Sequence, residues 1–294
     1  MKLLFFGTSD FSKPVFEALK KEGYSPILWN PEDDFDKFKK LNPDICIVAA
    51  YGKIIPKEWL EIPKYGFLNV HPSLLPEYRG ASPIQTAILN GDGKTGITII
   101  LMDEKIDHGP ILASREFSIF NSDSATSRKR LGGTFDEHFQ FSKYKELEKK
   151  LAELGVELLV KTLPKWVKGE IKPVEQNHNE ATYTKKLSWQ DGKIDWHKSA
   201  EEVERQIRAL NPEPGTWTNW GNKIIKIIEA LPVPEKNDNL EIGLVFLNKD
   251  EQTAIKCGFD TALMPKIVQL EGKKPTDIKD FLNGHRDFIS SVLK

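Results

Sequence analysis

Between Leu3 and Met102, short apolar runs alternate with helical periods. The runs are Leu3–Phe6, Ile27–Trp29, Ile45–Tyr51, Gly66–Val70 and Gly96–Met102. Helical spacing falls between them at Pro14–Lys21, Asp34–Leu41 and Ser82–Leu89. Pro14 suits a helix start, because its φ is preset and its missing N–H would be unpaired there anyway. Strands dense in Ile, Val and Phe and separated by helices predict βαβ units and a parallel sheet covered on both faces. With right-handed crossovers this is a Rossmann-like, doubly wound α/β layer.

The rhythm breaks at residues 121–143, a polar stretch with Gly132-Gly133 and no sustained period, which reads as a surface loop. Leu147, Leu151, Leu154, Leu158 and Leu159 then give a helix from Lys145 to Lys168, expected to kink or restart at Pro164. Residues 173–198 are polar and mixed, as in a linker. Ser199 and Glu202 have capping-box spacing and open a helix to Leu210, which Asn211-Pro-Glu-Pro-Gly215 ends. Short β runs follow at Thr216–Asn219, Lys223–Glu229, Leu240–Leu247, Gln252–Cys257 and Ile267–Leu270, with a last helix at Asp277–Asn283. Regular short strands predict a small antiparallel, OB-like β-barrel. The expected organisation is a Rossmann-like domain over 1–178, a linker over 179–198 and an OB-like domain over 199–294.

A length of 294 residues agrees with two cores rather than one. Apolar residues at 39% and charged residues at 29% describe a globular protein, and no run approaches the ~18 residues of a membrane helix. The apolar start at Leu3–Phe6 stops at Gly7, too short for a signal peptide, so it reads as a buried first strand. The cysteines, Cys46 and Cys257, form no C-x-x-C pair, and Cys46 lies in the apolar run ICIVAAY. A reduced, cytoplasmic protein without a disulfide framework is expected. A formal charge of −1 argues against a generally basic nucleic-acid coat, although not against a partner held by one local patch.

A Rossmann-like layer raises the question of a dinucleotide. The fingerprint G-x-G-x-x-G needs three glycines after the first strand, and here only Gly7 is offered, so no NAD(P) is expected. Ligands in such sheets still bind beyond the carboxyl ends of the strands. The fourth run ends there in Asn69-Val-His71-Pro72. Asn69 and His71, at i and i+2, share one face of a strand. An amide beside an imidazole can stabilise and protonate one carbonyl oxygen, and the plainer alternative is a pair that caps the following loop. A carboxylate from the segment after the Gly96–Met102 run could orient the imidazole or relay a proton, with Asp103, Glu104 and Asp107 all eligible by spacing. A metal on His71 and His108 lacks an H-x-H or H-x-x-x-H pair, so no metal is expected.

These residues carry a resemblance. The segments Leu68–Gln85, Thr95–Ile99 and Asp107–Leu112 resemble the 10-formyltetrahydrofolate-dependent formyltransferases, as do Phe6–Phe11, Ala50–Pro56 and Leu151–Gly155. In the second half, Tyr183–Ser188, Ile194–Trp196, Ile207–Pro212, Gly272–Pro275 and Phe281–Gly284 are similar to the branch that acts on methionyl-tRNA. The resemblance implies a monomer that moves the formyl group of 10-formyltetrahydrofolate, a folate co-substrate, to the α-amine of methionyl-initiator tRNA. It also implies Asn69, His71 and Asp107 as the catalytic set, Ser73, Leu74, Leu75 and Pro76 as folate contacts, and tRNA contact by the C-terminal domain. Arg79 is left between an anion contact and a loop salt bridge. The family's basic loop after the second strand is short and acidic here, Trp29–Phe38, and Arg128-Lys129-Arg130 is expected to supply phosphate contacts instead, unless that run is a solvated face. The competing functions are formylation of an amino-sugar nucleotide and, from another class, RNA binding without catalysis.

Overall fold

The computed structural model describes residues 1–30, 32–119, 143–236 and 239–294. Of the expected loop over 121–143, residues 121–142, with Arg128, Lys129 and Arg130, lie outside the described residues. The chain forms two compact units whose last division falls at Lys186/Leu187, within the polar stretch read as a linker, with Ile88–Gly91 grouped with the second unit.

The first unit runs β1 (Leu3–Phe6), α1 (Ser12–Lys21), β2 (Ile27–Leu28), α2 (Phe35–Leu41), β3 (Ile45–Val48), α3 (Lys57–Leu60) and β4 (Phe67–His71). It continues with β5 (Arg79–Gly80), α4 (Pro83–Asn90), β6 (Lys94–Leu101), β7 (Ile111–Ser118), α5 (Tyr144–Val167) and β8 (Tyr183–Thr184). One sheet has the order β2-β1-β3-β4-β6-β7. β1, β3 and β4 are buried along their whole length, which is why they read as continuous apolar runs rather than alternating ones. Gly7 follows β1 at φ +148°, and a Cβ there would lie 2.1 Å from the Ala49 carbonyl oxygen, so only glycine passes. Aromatic rings of Phe6, Trp29, Phe38 and Phe67 fill one side of the sheet. Asp34 caps α2, its carboxylate accepting from the Lys37 N–H at 2.9 Å.

The sheet is mixed, which corrects the expectation of a wholly parallel layer. β2, β1, β3 and β4 are parallel, whereas β6 runs antiparallel to β4 and β7 antiparallel to β6. The connection from β4 to β6 contains α4, only 8 residues and thus about 12 Å long. The residues before α4 are tied down beside His71: Thr98 Oγ1 donates to the Ser73 carbonyl at 2.7 Å and accepts from the Leu75 N–H at 3.1 Å. The chain therefore enters β6 from the end at which it left β4. β7 is an edge strand whose outer residues, Ser114–Glu116, are exposed, so it lacked the apolar signature used to find the others.

The expected break at Pro164 does not end α5, which continues to Val167. The proline removes one N–H near the helix end, and the last turn is secured by Trp166, whose indole N–H donates to the Tyr65 carbonyl at 2.9 Å. β8 pairs in parallel with β5, Arg79 opposite Tyr183 and Gly80 opposite Thr184.

The second unit holds α6 (Ala200–Leu210), β9 (Trp217–Trp220), β10 (Lys223–Pro234), β11 (Val245–Leu247), β12 (Thr253–Lys256), β13 (Thr261–Leu270), β14 (Thr276–Asp277) and α7 (Ile278–Gly284). Its strands are antiparallel in the order β11-β12-β13-β10-β9, with β14 on β13. Ser199 and Glu202 form the reciprocal capping box. The C-terminal residues pair with both edges, Leu293 bridging to Trp220 and Val292 to Leu244. Val203, Ile207, Ile225, Val245, Ile255, Leu263 and Phe288 form its core. No described helix is long and apolar enough to cross a membrane.

Candidate active site

β4 delivers Asn69 and His71 to one face, as the i, i+2 spacing requires, and both are buried. The structure selects among the three carboxylates. Asp103 pairs with His108 at 2.6 Å and Glu104 with Lys57 at 3.4 Å, whereas Asp107 reaches the β4 pair. Asn69 Nδ2 donates to Asp107 Oδ1 at 3.0 Å, and His71 Nδ1 lies 3.6 Å from the same oxygen. Asp107 Oδ2 accepts from the Gly80 N–H at 2.8 Å. Both carboxylate oxygens are thus acceptors of fixed donors.

The tautomer of His71 follows from its other neighbour. Nε2 lies 3.0 Å from the Tyr78 carbonyl oxygen. A carbonyl only accepts, so Nε2 carries a hydrogen, and the nitrogen left to exchange a proton is Nδ1, which faces Asp107. Tyr78 has φ +59° and Asp107 φ +48°, both in the left-handed region that non-glycine residues enter at a cost of about 1–3 kcal/mol. Such conformations gather where surrounding contacts over-determine the backbone.

The segment Ser73–Pro76 is a turn held from inside. Ser73 is fully buried and donates its hydroxyl to the Glu77 carbonyl at 2.6 Å. Leu75 is buried, and Leu74 and Pro76 are half-buried. Arg79 takes neither role expected of it. It is 1% exposed, donates to Gln176 Oε1 at 2.7 Å and to the Tyr183 hydroxyl at 3.2 Å, and has His178 Nδ1 at 2.9 Å. None of these partners is an anion. A guanidinium can only donate, so His178 is neutral with Nδ1 as acceptor. Desolvation, then the nearby His108 and Arg79, lowers the His178 pKa from its ordinary value in agreement. The His178 ring stacks on His108 at 3.8 Å.

Sequence reasoning missed Tyr78, Gln176 and His178. Tyr78 acts through its carbonyl, which no side-chain motif announces, and the other two lie in a stretch whose polarity resembles a linker. Among the described residues, no group of three His, Cys, Asp or Glu is placed to hold a metal. The arrangement offers an amide donor, an imidazole and a carboxylate around one point, a set suited to an acyl-type transfer through a tetrahedral oxyanion.

Two family models match the chain, "Formyl transferase" over residues 6–138 and "Formyl transferase, C-terminal domain" over residues 186–286. The chain is similar to the methionyl-tRNA formyltransferase of Caldanaerobacter subterraneus subsp. tengcongensis, 35% identical over all of both chains. It is 33% identical to that of Bacillus cereus, covering 100% of this chain and 98% of the other. In fold it is similar to HypX from Aquifex aeolicus, solved in complex with tetrahydrofolic acid, with TM-score 0.69, 19% identity and 98% of this chain covered. The match spans 48% of HypX, about half that protein's length.

Proposed function

The chain belongs to the formyltransferase family, and we infer from that premise that it transfers a formyl group to the α-amine of methionyl-initiator tRNA, giving formylmethionyl-tRNA. The observation that carries the reading at the level of chemistry is the convergence of Asn69 and His71 on Asp107 Oδ1. The donor is folate-derived, and we take it to be 10-formyltetrahydrofolate. The amine attacks the formyl carbon, and a tetrahedral oxyanion forms. Asn69, through its second Nδ2 hydrogen, and His71, in the doubly protonated form that an Nδ1–H beside the fixed Nε2–H requires, stabilise that oxygen. Asp107 accepts the proton that the amine loses. Collapse breaks the bond from carbon to the folate nitrogen, which takes up the proton and leaves as tetrahydrofolate.

Leu74 and Pro76, the half-exposed members of the Ser73–Pro76 turn, are the side chains available to a folate, while Ser73 and Leu75 hold the turn in shape. The first unit is then the catalytic domain. The second, whose C-terminal residues bridge to Trp220 and Leu244, is read as an OB-like barrel that contacts tRNA.

Formyl transfer measured with methionyl-initiator tRNA beside a dTDP-amino sugar tests the reading. Transfer to tRNA alone is expected. Removal of one oxyanion donor in Asn69→Ala should lower kcat about 100- to 1000-fold while tRNA binding persists. Transfer to the sugar, or loss of tRNA binding together with turnover, would overturn it.

A further inference from the structure

Arg79 is a fully buried cation whose partners are all neutral, with its Nε hydrogen-bonded to none of the described residues. Burying a guanidinium without an anion is expensive, so the packing around it must be compensated by what the group holds in place. What it holds is Gln176, itself 5% exposed. Arg79 can only donate, so it fixes Gln176 Oε1 toward itself and leaves Gln176 Nε2 pointing the other way. That nitrogen donates to two carbonyls, Asp107 at 2.9 Å and Gly109 at 2.7 Å. Asp107 is itself left-handed, and Gly109 is wedged so closely that a Cβ would lie 1.9 Å from the Leu101 carbonyl oxygen.

Residues 79 and 80 therefore grip Asp107 at both ends. The Gly80 N–H binds its carboxylate, and Arg79, through Gln176, binds its backbone carbonyl. The grip has its own anchor in the pairing of β5 with β8. Gly80 has φ +108°, and a Cβ there would lie 2.5 Å from the Thr184 carbonyl oxygen.

We propose that Arg79 and Gln176 are positioning residues that set the Asp107 carboxylate for proton transfer through a buried relay of fixed hydrogen bonds. The proposal rests on the reading of Asp107 as the proton acceptor in formyl transfer. A displacement of about 1 Å in such a group can cost on the order of 100-fold in rate.

Gln176→Glu separates positioning from stability. The new carboxylate keeps an acceptor for Arg79 and supplies the missing anion, but it turns an oxygen toward the Asp107 and Gly109 carbonyls. The expected result is a Tm equal to or above that of the parent, a kcat lower by roughly 10- to 100-fold, and KM values for tRNA and folate within about threefold. Arg79→Lys, which keeps the charge but not the fork, should lower kcat in the same KM-sparing manner and serves where Gln176→Glu folds poorly. Adding Gln176→Glu to Asp107→Asn should cost nothing further in kcat if Gln176 acts through Asp107. Additive losses, or a kcat within about threefold of the parent in both single variants, would overturn the proposal. A fully active Asp107→Asn would instead overturn the reading of Asp107 on which it stands.

Discussion

Asp107→Asn is nearly isosteric, yet the hydrogen-bond pattern makes it far from silent. Asp107 Oδ1 accepts from Asn69 Nδ2 at 3.0 Å and Oδ2 accepts from the Gly80 N–H at 2.8 Å. An asparagine has one acceptor and one donor at these two places, so with Asn69 held with Nδ2 toward residue 107 one N–H faces another N–H. Leaving a buried donor unpaired costs about 1–3 kcal/mol. At about 2–4 °C per kcal/mol for a unit of this size, the Tm falls measurably. The catalytic loss is separate: without a proton acceptor, kcat should fall about 100- to 10,000-fold. The double variant Asn69→Asp/Asp107→Asn divides the two effects. The carboxylate at 69 accepts from the new amide, whose oxygen accepts from Gly80, and every donor is paired again at unchanged net charge. Differential scanning calorimetry should show most of the lost Tm recovered, while single-turnover formyl transfer stays as slow as in Asp107→Asn or slower. A double variant no more stable than Asp107→Asn would refute the assigned hydrogen bonds. An Asp107→Asn kcat within about threefold of the parent would refute the proton-acceptor role.

Three further outcomes follow from other parts of the molecule. Thr98→Val preserves shape but strands the Leu75 N–H and Ser73 carbonyl, so urea unfolding should show a loss of about 1–3 kcal/mol, and an unchanged midpoint would contradict the pinning of that turn. Cys46 and Cys257 are both fully buried, and burial pushes the Cys46 thiol well up and the Cys257 thiol up to about 12; a disulfide reagent at pH 8 should label neither until denaturant is added. Glu202 is held below its ordinary 4.5 first by the Ser199 backbone N–H, so its contribution is present above pH 4.5 and lost as the pH falls through the lowered value. Glu202→Gln should therefore be less stable at pH 7 by about 0.5–1 kcal/mol, with the gap closing near pH 3, and a gap constant with pH would count against the charge.

The parts legible in the sequence are those whose side chains carry the information. β4 and its Asn69/His71 pair show both an apolar run and a polar i, i+2 interruption, and Ser199 with Glu202 announces the start of α6. Strand direction in β6 was not legible, since a strand buried on both faces reads the same either way. β7 escaped because an edge strand bearing Arg115 and Glu116 has little to bury. The choice of Asp107 over Asp103 and Glu104 depends on a left-handed backbone and on where His108 and Lys57 lie, and neither is a local property. Gln176 and Tyr78 were invisible for a further reason. They act on or through backbone carbonyls, and a contact to a carbonyl leaves no complementary residue type elsewhere in the chain to find.

The departure from a parallel sheet is what assembles the site. With β6 antiparallel, Thr98 stands opposite His71 and reaches the turn that follows β4. The chain then leaves β6 beside Leu68, one position before Asn69, and its next segment meets Asn69 through Asp107. A parallel β6 would release the chain at the opposite end, beyond His71, and the carboxylate would have to return along the strand to reach Asn69. The single reversal thus serves both members of the β4 pair: Thr98, midway along β6, supports the turn beside His71, and the segment after β6 supplies the partner of Asn69.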